Sequence, residues 1–214
     1  MARKVICLAV FAAALAAGGP ARAASVDVEI KDNAGHPAAN AVVALAPDAS
    51  GPAIPSQLPA EAVIDQRHET FIPLVTLLRK GGQVVFTNND TTMHQVYSFS
   101  PIKQFEFEID EGQRTKPVVF DVPGVASIGC NIHDQMITYV YVADTPWAVL
   151  TDANGRARIA GVPAGGYRAT VWHPQLAPGR VAPTATLSVK GDTPFAMSIS
   201  LVAAPKKRMH MGNY

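Results

Sequence analysis

Cysteine is almost missing from this chain: 214 residues hold two, Cys7 and Cys130. Long apolar segments are missing too. The one sustained apolar run, Val5 to Ala17, is too short to cross a bilayer and has no stop-transfer flank. No stripe of Lys and Arg marks a nucleic-acid binder. No long segment repeats its apolar residues at the helical period, so an all-β chain is the expectation.

The N-terminus decides which cysteine counts. Arg3 and Lys4 precede the apolar run, Gly18, Gly19 and Pro20 break it, and Ala21-Arg22-Ala23 offers a small-x-small cleavage pattern. Residues 1–24 therefore read as an export signal cut after Ala23 or Ala24. Cys7 lies too early for lipid attachment, so a soluble periplasmic chain without a membrane anchor is expected. Cleavage removes Arg3, Lys4 and Arg22 from the 18 basic residues and none of the 17 acidic ones, which moves the formal charge from +1 to about −2. It also leaves Cys130 as the sole cysteine in an oxidising compartment. Such a residue implies intermolecular pairing, a reactive thiol, or a bond to metal.

Alternating apolar and polar residues predict strands near 26–30, 41–45, 84–86, 95–99, 105–109, 118–122, 138–142, 168–172, 184–189 and 197–202. The stretch 72–80 suits either a short helix or extended chain, with Pro73 and Gly81-Gly82 favouring the latter. Pro47 to Pro59 reads as a linker or surface loop. Asn33-Ala34-Gly35 turns the chain, and hairpin turns are expected at Thr151–Gly155 and Val162–Tyr167.

The outer segments, "VDVEIKDNAGHPAANAVVAL" and "LTDANGRARIAGVPAGGYRATVW", resemble the small Ig-like sandwich of the carboxypeptidase regulatory-like (transthyretin-like) family. About 100 residues separate these halves. An inserted second domain explains the gap: an Ig-like sandwich from 25–58 and 145–204, an insert over 59–144, and a flexible tail over 205–214.

That insert carries the chemistry. In "GCNIHDQM", Cys130, His133 and Met136 recur at three-residue spacing, and His94 lies upstream in "FTNNDTTMHQVYSFS". A thiolate, two imidazoles and a weak thioether form a blue-copper ligand set. Zinc would also accept these donors, and the methionine favours copper. The spacing and the lead-in "GGQVVFTNNDTTMHQV" resemble the cupredoxin family, in its amicyanin and plastocyanin-like branch and its methylamine-utilisation setting. The resemblance implies a Greek-key β-sandwich over residues 62–142, with one mononuclear type 1 copper on His94, Cys130, His133 and Met136. Two departures stand out. Gln95 occupies the place of the family's loop-tying Asn, and Asp134 and Gln135 make the surroundings of His133 polar.

The expected function is one-electron transfer with periplasmic partners such as a dehydrogenase, a c-type cytochrome or a terminal reductase. The alternative is copper delivery, storage or sensing, kept open by Met209, His210 and Met211. An enzyme is not expected, because His36, His68, His173 and His210 are scattered and supply no second copper centre. His36 and His68 are expected to be exposed, and His173 to be structural beside Trp172.

Overall fold

The computed structural model describes residues 24–49 and 55–202, so the expected signal segment, Ala24 apart, and the Met209-His210-Met211 tail lie outside the described residues. Among the described residues every regular element is a strand. In chain order the first group is β1 (Ala24–Asp32), β2 (Val42–Pro47), β3 (Glu61–Gln66), β4 (Phe71–Ile72), β5 (Val75–Arg79) and β6 (Gly82–Asn88). Then come β7 (His94–Ser100), β8 (Lys103–Ile109), β9 (Val118–Phe120), β10 (Gly124–Cys130) and β11 (Ile137–Ala143). The last are β12 (Ala148–Leu150), β13 (Arg156–Val162), β14 (Gly165–Trp172), β15 (Thr184–Val189) and β16 (Thr193–Ile199).

These strands form four sheets. A three-stranded sheet has the order β13-β1-β16, and a four-stranded one has β12-β2-β14-β15. Their facing side chains share one core that includes Val26, Ile30, Val43, Leu45, Trp147 and Val171. The alternation in β1 has a direct consequence here. Val26, Val28 and Ile30 point inward and are at most 3% exposed. Asp27 and Glu29 point outward, opposite Arg158 and Arg156 of β13, and pair with them at 2.7 and 3.3 Å. Those ion pairs are solvent-facing and add little stability; the buried aliphatic face supplies most of it.

The intervening residues build a five-stranded sheet, β5-β11-β10-β7-β8, facing a four-stranded one, β4-β3-β6-β9. Phe86, Ile64, Val96, Ile128 and Val140 fill the space between them. A small seam joins the two sandwiches, where Ala44, Ala143 and Ala148 meet Leu77 and Tyr141. Trp172, at the end of β14, packs on Tyr139 and Tyr141 of β11 with ring centroids 5.5 and 5.8 Å away.

The all-β expectation holds, and several details differ from the sequence reading. The stretch 72–80 is extended as β4 and β5, because β5 pairs in parallel with β11 from Val75 to Arg79. The turns at Thr151–Gly155 and Val162–Tyr167 close no hairpin. Each links strands of different sheets, β12 to β13 and β13 to β14. Strands β3, β10, β12 and β13 were not anticipated, β9 stops at Phe120, and the last strand spans 193–199 instead of 197–202.

Candidate metal centre

Strands β7 and β10 run antiparallel, with Cys130 opposite Val96. His94 is two residues back along β7, on the same face, so it is the diagonal neighbour of Cys130. Pairing therefore brings together two residues 36 apart in sequence: Cys130 Sγ lies 3.6 Å from His94 Nδ1. Both are buried, at 3% and 0% exposure. The ladder extends one step past the strand end, where the Asn131 amide donates to the Gln95 carbonyl at 3.0 Å. That bond starts the loop which swings His133 over the other two residues.

His133, His94 and Cys130 each place a ligand atom within 4.8 Å of the others. The two imidazole centroids are 5.3 Å apart. His133 Nδ1 is buried and has no hydrogen-bond partner, an arrangement that costs stability unless something else binds the lone pair. Its Nε2 lies 3.4 Å from Glu69 Oε1. His94 is held similarly, with Nε2 2.8 Å from Asp90 Oδ2. Each ring thus turns Nε2 to a carboxylate, and His94 turns its Nδ1 to Cys130. A sulfur and two imidazole nitrogens whose outer nitrogens meet carboxylates make a donor set that suits copper or zinc.

Met136 is 2% exposed, within the core of this sandwich. Its amide donates to the His133 carbonyl at 2.9 Å, which closes the ligand loop into a tight turn just before β11. Asp134 and Gln135 are exposed beside His133, as the sequence suggested. Gln95 does help to hold the loop, through an intermediary. Its Nε2 donates to Glu106 Oε1 at 2.8 Å, and Asn131 Nδ2 donates to the same oxygen at 3.3 Å.

Sequence reasoning missed Asp90 and Glu69. Asp90 precedes His94 by four residues in the β6–β7 loop, a spacing with no meaning until the loop folds back. Burial alone would raise the Asp90 carboxyl, but the Glu69 amide, the His94 ring and the His68 amide outweigh it and hold the group below its ordinary value. Asn88 shapes the loop: its Nδ2 donates to Thr92 and Ile109 carbonyls, both at 2.8 Å. The remaining described histidines stay apart from the cluster. His36 and His68 are exposed, and His173 bonds the Ala39 carbonyl inside the first sandwich at 2.9 Å.

No protein-family model matches the chain, and no curated protein matches it by sequence. Among solved structures, a purple cupredoxin from Nitrosopumilus maritimus is 24% identical, with a TM-score of 0.34 over 38% of this chain and 99% of that one. Amicyanin from Paracoccus versutus is 16% identical, with a TM-score of 0.35 over 46% of this chain and 97% of its own. A copper-containing nitrite reductase from Thermus scotoductus is 22% identical, with a TM-score of 0.37 over 47% of this chain and 26% of that chain. Each of these cupredoxin likenesses spans less than half of the present chain.

Proposed function

We propose that this chain is an exported copper protein that carries single electrons between redox partners. The observation that carries the reading is the unpartnered, buried Nδ1 of His133 beside a thiol and a second imidazole. Bound copper would supply a one-electron couple there. His94, Cys130 and His133 would hold it, with Met136 as a fourth, weaker donor. The Cys130 thiol, at the end of β10, would tie the metal directly to the strand backbone. His94 is sealed inside, whereas His133 has a quarter of its side chain exposed (26%). That edge is where a partner would approach.

The scaffold supports the role. Two ligands come from adjacent strands of a packed sheet and the third from a loop hydrogen-bonded at both ends, so the donors keep their places when the charge between them changes. In this reading residues 59–144 form a cupredoxin-type domain. It is inserted into an Ig-like sandwich contributed by 25–58 and 145–204, which serves as a docking or spacing module. The setting is the periplasm, the partners are redox proteins such as a dehydrogenase or a c-type cytochrome, and the chain catalyses no reaction of its own.

Protein-film voltammetry of the copper-loaded mature chain tests this reading. A reversible one-electron wave that survives repeated cycling without copper loss is the expected result. Irreversible loss of the metal on reduction would instead mark a protein that releases its cargo.

A further inference from the structure

The connection between β3 and β4 is a two-residue turn, closed by Arg67 and Thr70, whose amides and carbonyls bond each other at 3.0 and 3.1 Å. Its central residues are His68 and Glu69, with φ of 51° and 53°. Turns of this kind favour Gly and Asn, because a larger side chain in the left-handed region is strained. Here both positions carry large polar side chains.

Asp90 helps this turn to form. Its Oδ1 accepts from the His68 amide, and its Oδ2 accepts from the Glu69 amide at 3.0 Å. The same Oδ2 meets His94 Nε2. Glu69, so anchored, places Oε1 3.4 Å from His133 Nε2. A continuous chain of contacts therefore runs from His94 through Asp90 and the turn backbone to Glu69 and His133. It joins two imidazoles that lie 39 positions apart in sequence.

We propose that Glu69 is a positioning residue for His133, and that Asp90 couples its placement to that of His94. The turn tolerates a glutamate at a left-handed position because that position delivers a carboxylate to the outer nitrogen of the loop histidine. With the Glu69 carboxylate 3.4 Å from Nε2, its charge favours the proton there and keeps it off the buried, unpartnered Nδ1. The assignment rests on the metal centre proposed above for its purpose, but not for its geometry.

The test compares the mature chain with Glu69→Gln and Glu69→Ala. Nitrogen NMR of the metal-free protein, above the imidazole titration range, reads the His133 tautomer. Cu(II) binding is then measured by competition with a chelator. The wild type should carry the proton on Nε2. Glu69→Gln, whose amide oxygen can accept from Nε2–H, should keep that tautomer and bind copper at least as well as Glu69→Ala. Glu69→Ala should mix the tautomers and weaken binding by about ten- to a hundred-fold, the range for such outer partners. Its thermal midpoint should change little, since the Glu69 side chain is 66% exposed. An unchanged tautomer and affinity in Glu69→Ala would overturn the assignment. A wild type that binds no copper would overturn the metal centre, while the tautomer comparison would still decide the role of Glu69.

Discussion

His173, at the exit of β14, donates from Nε2 to the Ala39 carbonyl at 2.9 Å and accepts from the Gln175 amide at Nδ1, 3.0 Å away. Only the neutral ring satisfies both contacts, because a proton on Nδ1 would face another donor. Burial lowers its pKa, and the Ala39 bond offsets only part of that. Between the unfolded value of about 6.5 and the depressed folded one, the unfolded chain binds more protons. Stability is therefore full above that window and falls as pH descends through it. Denaturant midpoints of metal-free protein should drop as pH falls below about 7.5 and through the unfolded imidazole value, and His173→Gln should flatten the slope. Equal slopes in both proteins would refute this account of His173.

The clustered side chains His94, Cys130 and His133 stood out in the sequence at the same scale as candidate ligands, because Cys, His and Met at fixed spacing have few other joint uses. Asp90 and Glu69 were not. A carboxylate on a loop looks like any solvated acid until strand pairing decides what it faces. In the sequence, Gln95 in place of the family's Asn left open how the loop is tied down. Glu106, on the neighbouring strand β8, receives both Gln95 and Asn131, a relay visible only once β7 and β8 are paired.

At the scale of elements, one turn is used twice. Asp32-Asn33-Ala34-Gly35-His36 and Asp152-Ala153-Asn154-Gly155-Arg156 have the same bonds. In each, Oδ1 of the Asp accepts from the amides two and four residues on. In each, the Gly amide donates back to the Asp carbonyl at 3.0 Å. Both glycines have positive φ, 87° and 69°. Their surroundings differ. A Cβ on Gly35 would meet nothing within 4 Å, whereas one on Gly155 would sit 2.3 Å from the Ile30 carbonyl oxygen. Gly35→Ala should thus cost the left-handed penalty alone, about 1–2 kcal/mol. Gly155→Ala should cost more, on the order of 3–4 kcal/mol, because β1 backbone must also move. Chemical denaturation of the two variants checks the difference, and equal losses would contradict it.

The turns were readable because Asp-x-x-Gly chemistry is local. Their partners were not, since nothing local says that β12 joins β2 while β13 joins β1. The same limit hid β10. Its Gly129 leaves room for the Tyr97 ring, whose atoms lie 2.8 Å from where a Cβ would be. A strand with a glycine beside its cysteine gives a weak sequence signal, yet it delivers Cys130.

Over the whole molecule, two cores share one chain that leaves the first sandwich after β2 and returns at β12. The aromatic contact of Trp172 with Tyr139 and Tyr141 lies on β11, the strand that follows the ligand loop directly. The candidate centre is itself a product of global folding. One candidate ligand comes from β7, one from β10 and one from the loop between β10 and β11, and the pairing of β7 with β10 together with the path of that loop brings them together.

The central claim is that His94, Cys130 and His133 hold one copper in the folded chain. Visible absorption and EPR during Cu(II) titration of the mature protein test it most directly, with Cys130→Ser and denaturant-unfolded protein alongside. The account predicts an intense thiolate-to-copper band that saturates at one copper per chain and is absent from both controls. A colourless folded protein, or a band that persists in Cys130→Ser, would contradict it.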